Sequence, residues 1–272
     1  MTAPPTARPG FVKRRLRAVF DVAAFLALSA GLVWLIVRGA DAMHYNWQWY
    51  RIPQYFIDVI DGELYAAPFL RGLYVTIEIV ALSLPLSIAF GFAAALASRT
   101  RSVTAHFLNR AYVETIRNTP LLVQIYIFYF VLAPILGTGR FTAGILALAV
   151  YEGAYAAEIL RAGIDAIPKG QWEAARSLGL SPYNVYRYVV VPQLIRFVLP
   201  PLTNLAVALI KGSAIVSVIA IFELTTEAKN LISETFMTFE IWFTVAAIYL
   251  VLTTSLSAVA YGLEARLKRR GA

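Results

Sequence analysis

Apolar residues in this chain gather into long stretches with very few charges. An α-helix needs about 20 such residues to cross ~30 Å of hydrocarbon, and six stretches qualify. Residues 18–37 carry one charge, Asp21, near their start; residues 73–97 carry only Glu78; residues 121–136 carry none. Residues 141–160 hold Glu152 and Glu158, residues 197–222 hold only Lys211, and residues 241–263 are uncharged. The pattern predicts an all-α polytopic membrane protein with about six transmembrane helices.

Composition agrees. Of 272 residues, 59% are hydrophobic and 15% charged, against about 45–50% and 25% in soluble domains. A soluble chain of this length buries a full core without such an excess. The absence of cysteine excludes a disulfide-stapled secreted module. The net charge of +8 invites a nucleic-acid reading until it is located. Alternate loops hold 18 Lys and Arg on one side and 5 on the other. The basic side of a membrane protein is cytoplasmic, so both termini are expected inside. The charge therefore marks topology, and the expected surroundings are membrane lipid, with no nucleic acid.

The basic start (Arg8, Lys13, Arg14, Arg15, Arg17), the first apolar run and Ala40-Asp41-Ala42 resemble a signal peptide. A signal core is only about 7–15 residues, so an uncleaved anchor helix is expected at 18–37. Residues 41–68 then form an external loop rich in Tyr and Trp, suited to an aromatic belt at the outer interface. The expected division is a basic tail with an extra helix at 1–40, the loop at 41–68, a core at 69–265 and a basic tail at 266–272.

The cytoplasmic loop 161–196 carries the most information. It reads as two short helices. Gly170 is placed to cap a helix over Gln171–Leu178, with Glu173 at its third position and Gly179 as a left-handed terminator. Ser181-Pro182 restarts a helix, and Pro192 is expected to break it. Ala174 and Ala175 are expected to be exposed, so that a partner's backbone approaches closely.

Glu173-Ala174-Ala175, three residues, Gly179, nine residues and Val189-Val190-Val191-Pro192 resemble the E-A-A-x3-G-x9-I-x-L-P signature of permease subunits of bacterial ABC importers. Val stands at the two aliphatic positions. The strings Glu114–Leu121 (ETIRNTPL) and Ala154–Ile164 (AYAAEILRAGI) resemble the polar amino-acid subfamily, which includes histidine, glutamine, glutamate and arginine systems. The resemblance spans about residues 69–265 and implies a five-helix core, to which residues 18–37 add one. It implies a bacterial inner-membrane subunit that is not itself an enzyme. Cytoplasmic ATPases that bind ATP and Mg²⁺ would contact helix 171–179 through Glu173, Ala174, Ala175 and Gly179. An external amino-acid-binding protein and a second permease chain, identical or paralogous, would complete the importer.

Charges inside spans are costly and mark pathways or pairs. Glu152 and Lys211 sit near mid-span, and Glu78 lies closer to an outer end. Glu152 and Lys211 either contact a zwitterionic amino acid or neutralise one another, and Glu78 and Ser213 complete the candidate pathway. Glu158 precedes Arg161 by three residues, the spacing of a helix-surface ion pair. Ala149, Gly153 and Ala157 form a small-residue stripe for close packing. Pro85 and Pro200-Pro201 free backbone carbonyls within spans. No G-x-x-x-x-G-K-[ST] is present, so no phosphate loop is expected. With only His44 and His106, neither a metal site nor a catalytic residue is expected. The competing reading is an ion-coupled secondary carrier using Glu152 or Glu78.

Overall fold

The computed structural model describes residues 11–43, 45–100 and 102–269. Arg8, His44 and the last three residues of the basic tail lie outside them. The helices are α1 (Phe11–Ala42), α2 (Pro68–Ala97), α3 (Val103–Arg117), α4 (Leu121–Leu136), α5 (Arg140–Asp165), α6 (Lys169–Ser177), α7 (Pro182–Ile219), α8 (Leu224–Thr235) and α9 (Thr238–Arg269). A 3-10 turn at Trp49–Tyr55 and strands β1 (Ile57–Ile60) and β2 (Glu63–Ala66) separate α1 from α2.

The chain divides into two compact units, residues 1–47 and 48–272. The first is dominated by α1, whose large apolar side chains Phe20, Leu28 and Trp34 are all exposed, as a lipid-facing helix requires.

In the second unit residues 48–66 pack on the core. Ile52 is buried with Phe69, Met237 and Ile241, Phe56 lies 5.1 Å from the Phe69 ring, and Trp49 stacks on Phe243. Of the aromatic residues expected in the belt, Trp49 and Tyr55 contact this core, while Tyr50 and Tyr65 are exposed. The antiparallel hairpin pairs Ile57 with Ala66 and Ile60 with Glu63. Asp61 and Gly62 both take positive φ, as a two-residue primed turn demands. Among the described residues this hairpin holds the only strands.

Among the described residues, five helices are long and apolar enough to span a membrane: Val19–Gly39, Pro68–Ala97, Arg140–Asp165, Pro182–Ile219 and Thr238–Arg266. The third expected span, 121–136, has only 16 residues and reaches about 24 Å. It pairs with α3 across a bend of 108°, and the two count as a sixth span if the bent pair is taken as one. Residues 103–117, expected as loop, form that α3. Ser102 caps it by accepting from the Ala105 amide. Gln124 stitches the bend, donating to the Ile116 and Thr119 carbonyls at 2.8 and 2.9 Å.

Pro192 does not break the chain. The helix runs on through a π-helical stretch at Tyr186–Val190 into Val191–Gly212. The wider turn relieves the clash and missing donor that a proline imposes on α-helical winding. The last turns, Ser213–Ile219, tighten to 3-10.

Backbone contact sets the core. A Cβ on Gly91 of α2 would lie 2.5 Å from the Ala156 Cβ of α5. On Gly153 it would lie 2.8 Å from Phe90 Cβ and the Tyr112 hydroxyl. On Gly163 it would overlap Val198 of α7. Around these approaches Ile79, Leu148 and Leu209 join α2, α5 and α7. Gly91→Val should therefore lower the melting temperature of the detergent-purified protein, by overpacking worth about 1–3 kcal/mol. Gly262→Ala, at a site with nothing within 4 Å, should leave it unchanged or raised; equal losses at both sites would refute the packing.

Candidate coupling helix and intramembrane pocket

Helix α6 follows α5 through the turn Ala166–Pro168. Its cap differs from expectation. Pro168, with φ −56° and ψ 136°, is the N-cap, no side chain caps the helix, and Gly170 lies inside it. The fixed φ of proline sets the entry, and the Gln171 amide closes on the Pro168 carbonyl at 3.0 Å. Glu173 thus falls in the second turn, too far along to reach back to the free amides.

The other end behaves as expected. Gly179 takes φ +72°, donating to the Arg176 carbonyl at 2.9 Å, while the Leu180 amide reaches the Ala175 carbonyl at 3.3 Å. These two bonds are the Schellman pair that satisfies terminal carbonyls.

The two alanines part company. Ala174 is exposed, but Ala175, expected at the surface, is 3% exposed and packs with Leu160, Ile164, Val185 and Val190. Trp172 lies edge-on to Tyr186 at 5.5 Å. A helix of nine residues is not stable alone in water, so burial of this face holds α6 on the ends of α5 and α7. Glu173, Ala174, Arg176 and Ser177 face outward.

Within the spans, Glu152 is buried and lines a cavity of about 290 Å³ with Tyr151, Tyr155, Pro201, Asn204 and Leu205. The Tyr151 and Tyr155 hydroxyls share a hydrogen bond of 3.3 Å. Among the described residues no ion pair reaches Glu152. The mutual neutralisation expected of Glu152 and Lys211 is therefore not formed, because Lys211 points to the exposed surface two helical turns beyond Asn204. Glu78 is half-buried on α2 and does not line the cavity. Ser213 is fully buried, and its hydroxyl donates to the Ile210 carbonyl at 2.7 Å. The structure thus gathers Glu152 with Asn204 and two tyrosines, and leaves Lys211, Glu78 and Ser213 outside. Asn204, an amide within an apolar span, was the legible signal that charge-based reasoning passed over.

A second buried carboxylate was also missed. Glu223 caps α8, accepting from the Thr225 and Thr226 amides at 2.8 and 2.9 Å and from the Tyr249 hydroxyl at 3.1 Å. Burial raises its pKa above the ordinary carboxylate range, and these hydrogen bonds offset part of that rise. It has a complete set of internal partners and is structural.

A helical bundle with a short helix packed across the ends of α5 and α7, and a pocket beside a buried mid-span carboxylate, defines a multi-pass membrane protein. The profile of the family described as "Binding-protein-dependent transport system inner membrane component" matches residues 87–269. The chain is 39% identical over 202 residues to a probable glutamine ABC transporter permease protein of Bacillus subtilis, covering 74% of this chain and 94% of that one. It is 36% identical over 207 residues to a glutamine transport system permease protein of Escherichia coli, covering 75% and 94%. A solved structure described as an amino acid ABC transporter with histidines superposes with a TM-score of 0.68 at 40% identity, over 73% of this chain and 94% of that one. The chain belongs to the binding-protein-dependent transport system inner membrane component family, and it is a multi-pass permease of the ABC importer class.

Because an L side chain at φ +72° is strained, Gly179→Ala should loosen the end of α6. Hydrogen exchange at the residue 179 and Leu180 amides should quicken by about fivefold, from a penalty of about 1 kcal/mol. Unchanged exchange would show that the terminator does not hold the helix.

Proposed function

We propose that this permease moves a polar amino acid across a bacterial inner membrane, driven by ATP hydrolysis on separate cytoplasmic ATPase chains. The observation that carries the coupling role is the outward face of α6: exposed Glu173 and Ala174 on a helix whose opposite face, through Ala175 and Trp172, is packed into the bundle. A helix held in this way moves with α5 and α7 as a body, whereas a free loop would absorb a displacement. Both termini are cytoplasmic in this reading, which rests on the 18 to 5 division of Lys and Arg. ATP and Mg²⁺ are held by the ATPases and not by this chain, an external amino-acid-binding protein delivers substrate, and a second permease chain faces this one.

The substrate class follows from the cavity. A buried carboxylate without an ionic partner suits a ligand that brings its own cation, here the ammonium of an amino acid. The Asn204 amide and the Tyr151–Tyr155 hydroxyl pair supply donors for its carboxylate. The amino-acid transport named for the relatives above supports the same class.

Two predictions test this reading in proteoliposomes containing permease, ATPase and binding protein. Glu173→Lys should insert normally and sustain hydrolysis while uncoupling uptake from it; uptake at the normal rate would remove α6 from the coupling path. Glu152→Gln should lower uptake efficiency by roughly ten- to hundredfold, the loss of one charged hydrogen bond of about 1.5–3 kcal/mol. Undiminished uptake would place the substrate elsewhere, and uptake by the permease alone under a proton gradient would favour the secondary-carrier alternative.

A further inference from the structure

The strings 114–121 and 154–164 are distant in sequence, yet the structure joins them. Arg117, the last residue of α3, lies 3.7 Å from the Glu158 carboxylate and 5.3 Å from the centre of the Tyr155 ring. Arg161 grips both Glu158 oxygens, at 2.8 and 3.2 Å. The same Arg161 reaches Asp165 at 3.5 Å, and Asp165 bonds Arg99, just beyond the end of α2, at 2.5 Å. Arg99 also donates to the Arg161 carbonyl at 3.4 Å. Positive and negative groups therefore alternate without a gap from Arg117 through Glu158, Arg161 and Asp165 to Arg99.

The course of this chain of charges is informative. Its three α5 members occupy the last turns before Ala166–Pro168 and α6. One end is fixed to the exit of α2. The other is fixed to the α3–α4 bend, which Gln124 stiffens. Arg117 also covers Tyr155, a wall of the Glu152 cavity. The members are one-third to one-half exposed, and exposed ion pairs add at most about 1 kcal/mol each to stability. Such a network contributes little to the fold. What it fixes is distance, since pulling an inner member away separates opposite charges on both sides, and pulling either end away separates one pair.

We propose that Arg117 and Glu158 are positioning residues that tie the α3–α4 bend to the α5–α6 arm, so that displacement of α6 moves the bend and the Tyr155 wall together. The proposal rests on the reading of α6 as the ATPase contact. Packing already joins α2 to α5 through Gly91 and Ala156. Between α3 and the cytoplasmic end of α5, Arg117 makes the ionic link; Val113 of α3 packs against Ala157, and the Tyr112 hydroxyl donates to the Val150 carbonyl at 2.8 Å farther along α5.

The test uses the complete importer in proteoliposomes, with amino-acid uptake per ATP hydrolysed as the readout. Arg117→Gln and Glu158→Gln should each lower that ratio by about fivefold or more, with unchanged melting temperature and ATPase co-purification. Arg117→Lys, which keeps the charge, should restore most of it. The double variant should fall no further than Glu158→Gln alone, as residues acting through one link do. A normal ratio in Arg117→Gln, with Glu173→Lys uncoupled, overturns the link and spares the coupling role of α6. A normal ratio in both overturns the coupling role itself. A loss in Arg117→Gln that comes with lost assembly or a lowered melting temperature makes Arg117 a fold contact and overturns the proposal.

Discussion

The approach of α2 to α5 is the constraint on which the rest depends. Gly91 sits so close to Ala156 and the Ala157 amide that any side chain there would force the helices apart. Lipid offers no hydrophobic drive for helices to associate, so close van der Waals contact between small residues has to hold them. Moving α5 outward would open the cavity beside Glu152, part Tyr112 from Val150 and stretch the Arg99–Asp165 contact. The stripe Ala149, Gly153 and Ala157 is thus a packing surface, with Ala149 and Ala157 buried against their neighbours.

With its position fixed, α5 becomes the axis of the molecule. Read from Arg140 toward Asp165, it carries in turn the buried carboxylate Glu152, the tyrosine wall, the charged residues Glu158, Arg161 and Asp165, and then the turn into α6. Packing contacts, pocket and the connection to α6 share one rigid element, and a helix is stiff enough to relay movement along its length. Opposite it, α7 runs on from Pro182 past Pro192, where the π stretch Tyr186–Val190 absorbs what α-helical winding would not, and it carries Pro200 and Pro201 within its α-helical stretch. The α6 helix bridges the ends of both.

Most of the spans were legible because hydrocarbon imposes length and polarity on the chain directly. Charge placement showed where Glu152, Lys211 and Glu78 lie along their spans, but not which of them face one another. Facing depends on helix rotation, which the glycine contacts set. That is why the Glu152–Lys211 pair expected from the spans is absent, and why Asn204, not Lys211, lines the cavity beside Glu152. The Gly179 terminator was readable because left-handed φ selects glycine locally. The exposure of Ala175 was not, since it depends on Val185 and Val190 folding back over it. The α3 helix escaped notice because its polar residues, Asn109, Arg110 and Glu114, break the apolar run that marks a span. Pro192 misled for a similar reason: a proline breaks an α-helix, but not one already widened to π.

Because the chain has no cysteine, single cysteines can report on contacts without background. The most direct measurement is cross-linking from Ala174→Cys to the ATPase subunit in intact inner-membrane vesicles, with Tyr65→Cys on the β1–β2 hairpin as the comparison. A cross-link from position 174 and none from position 65 is the predicted result. A position 174 thiol that is freely labelled yet never joins the ATPase, or a cross-link from the hairpin instead, would contradict the placement of α6 at the ATPase.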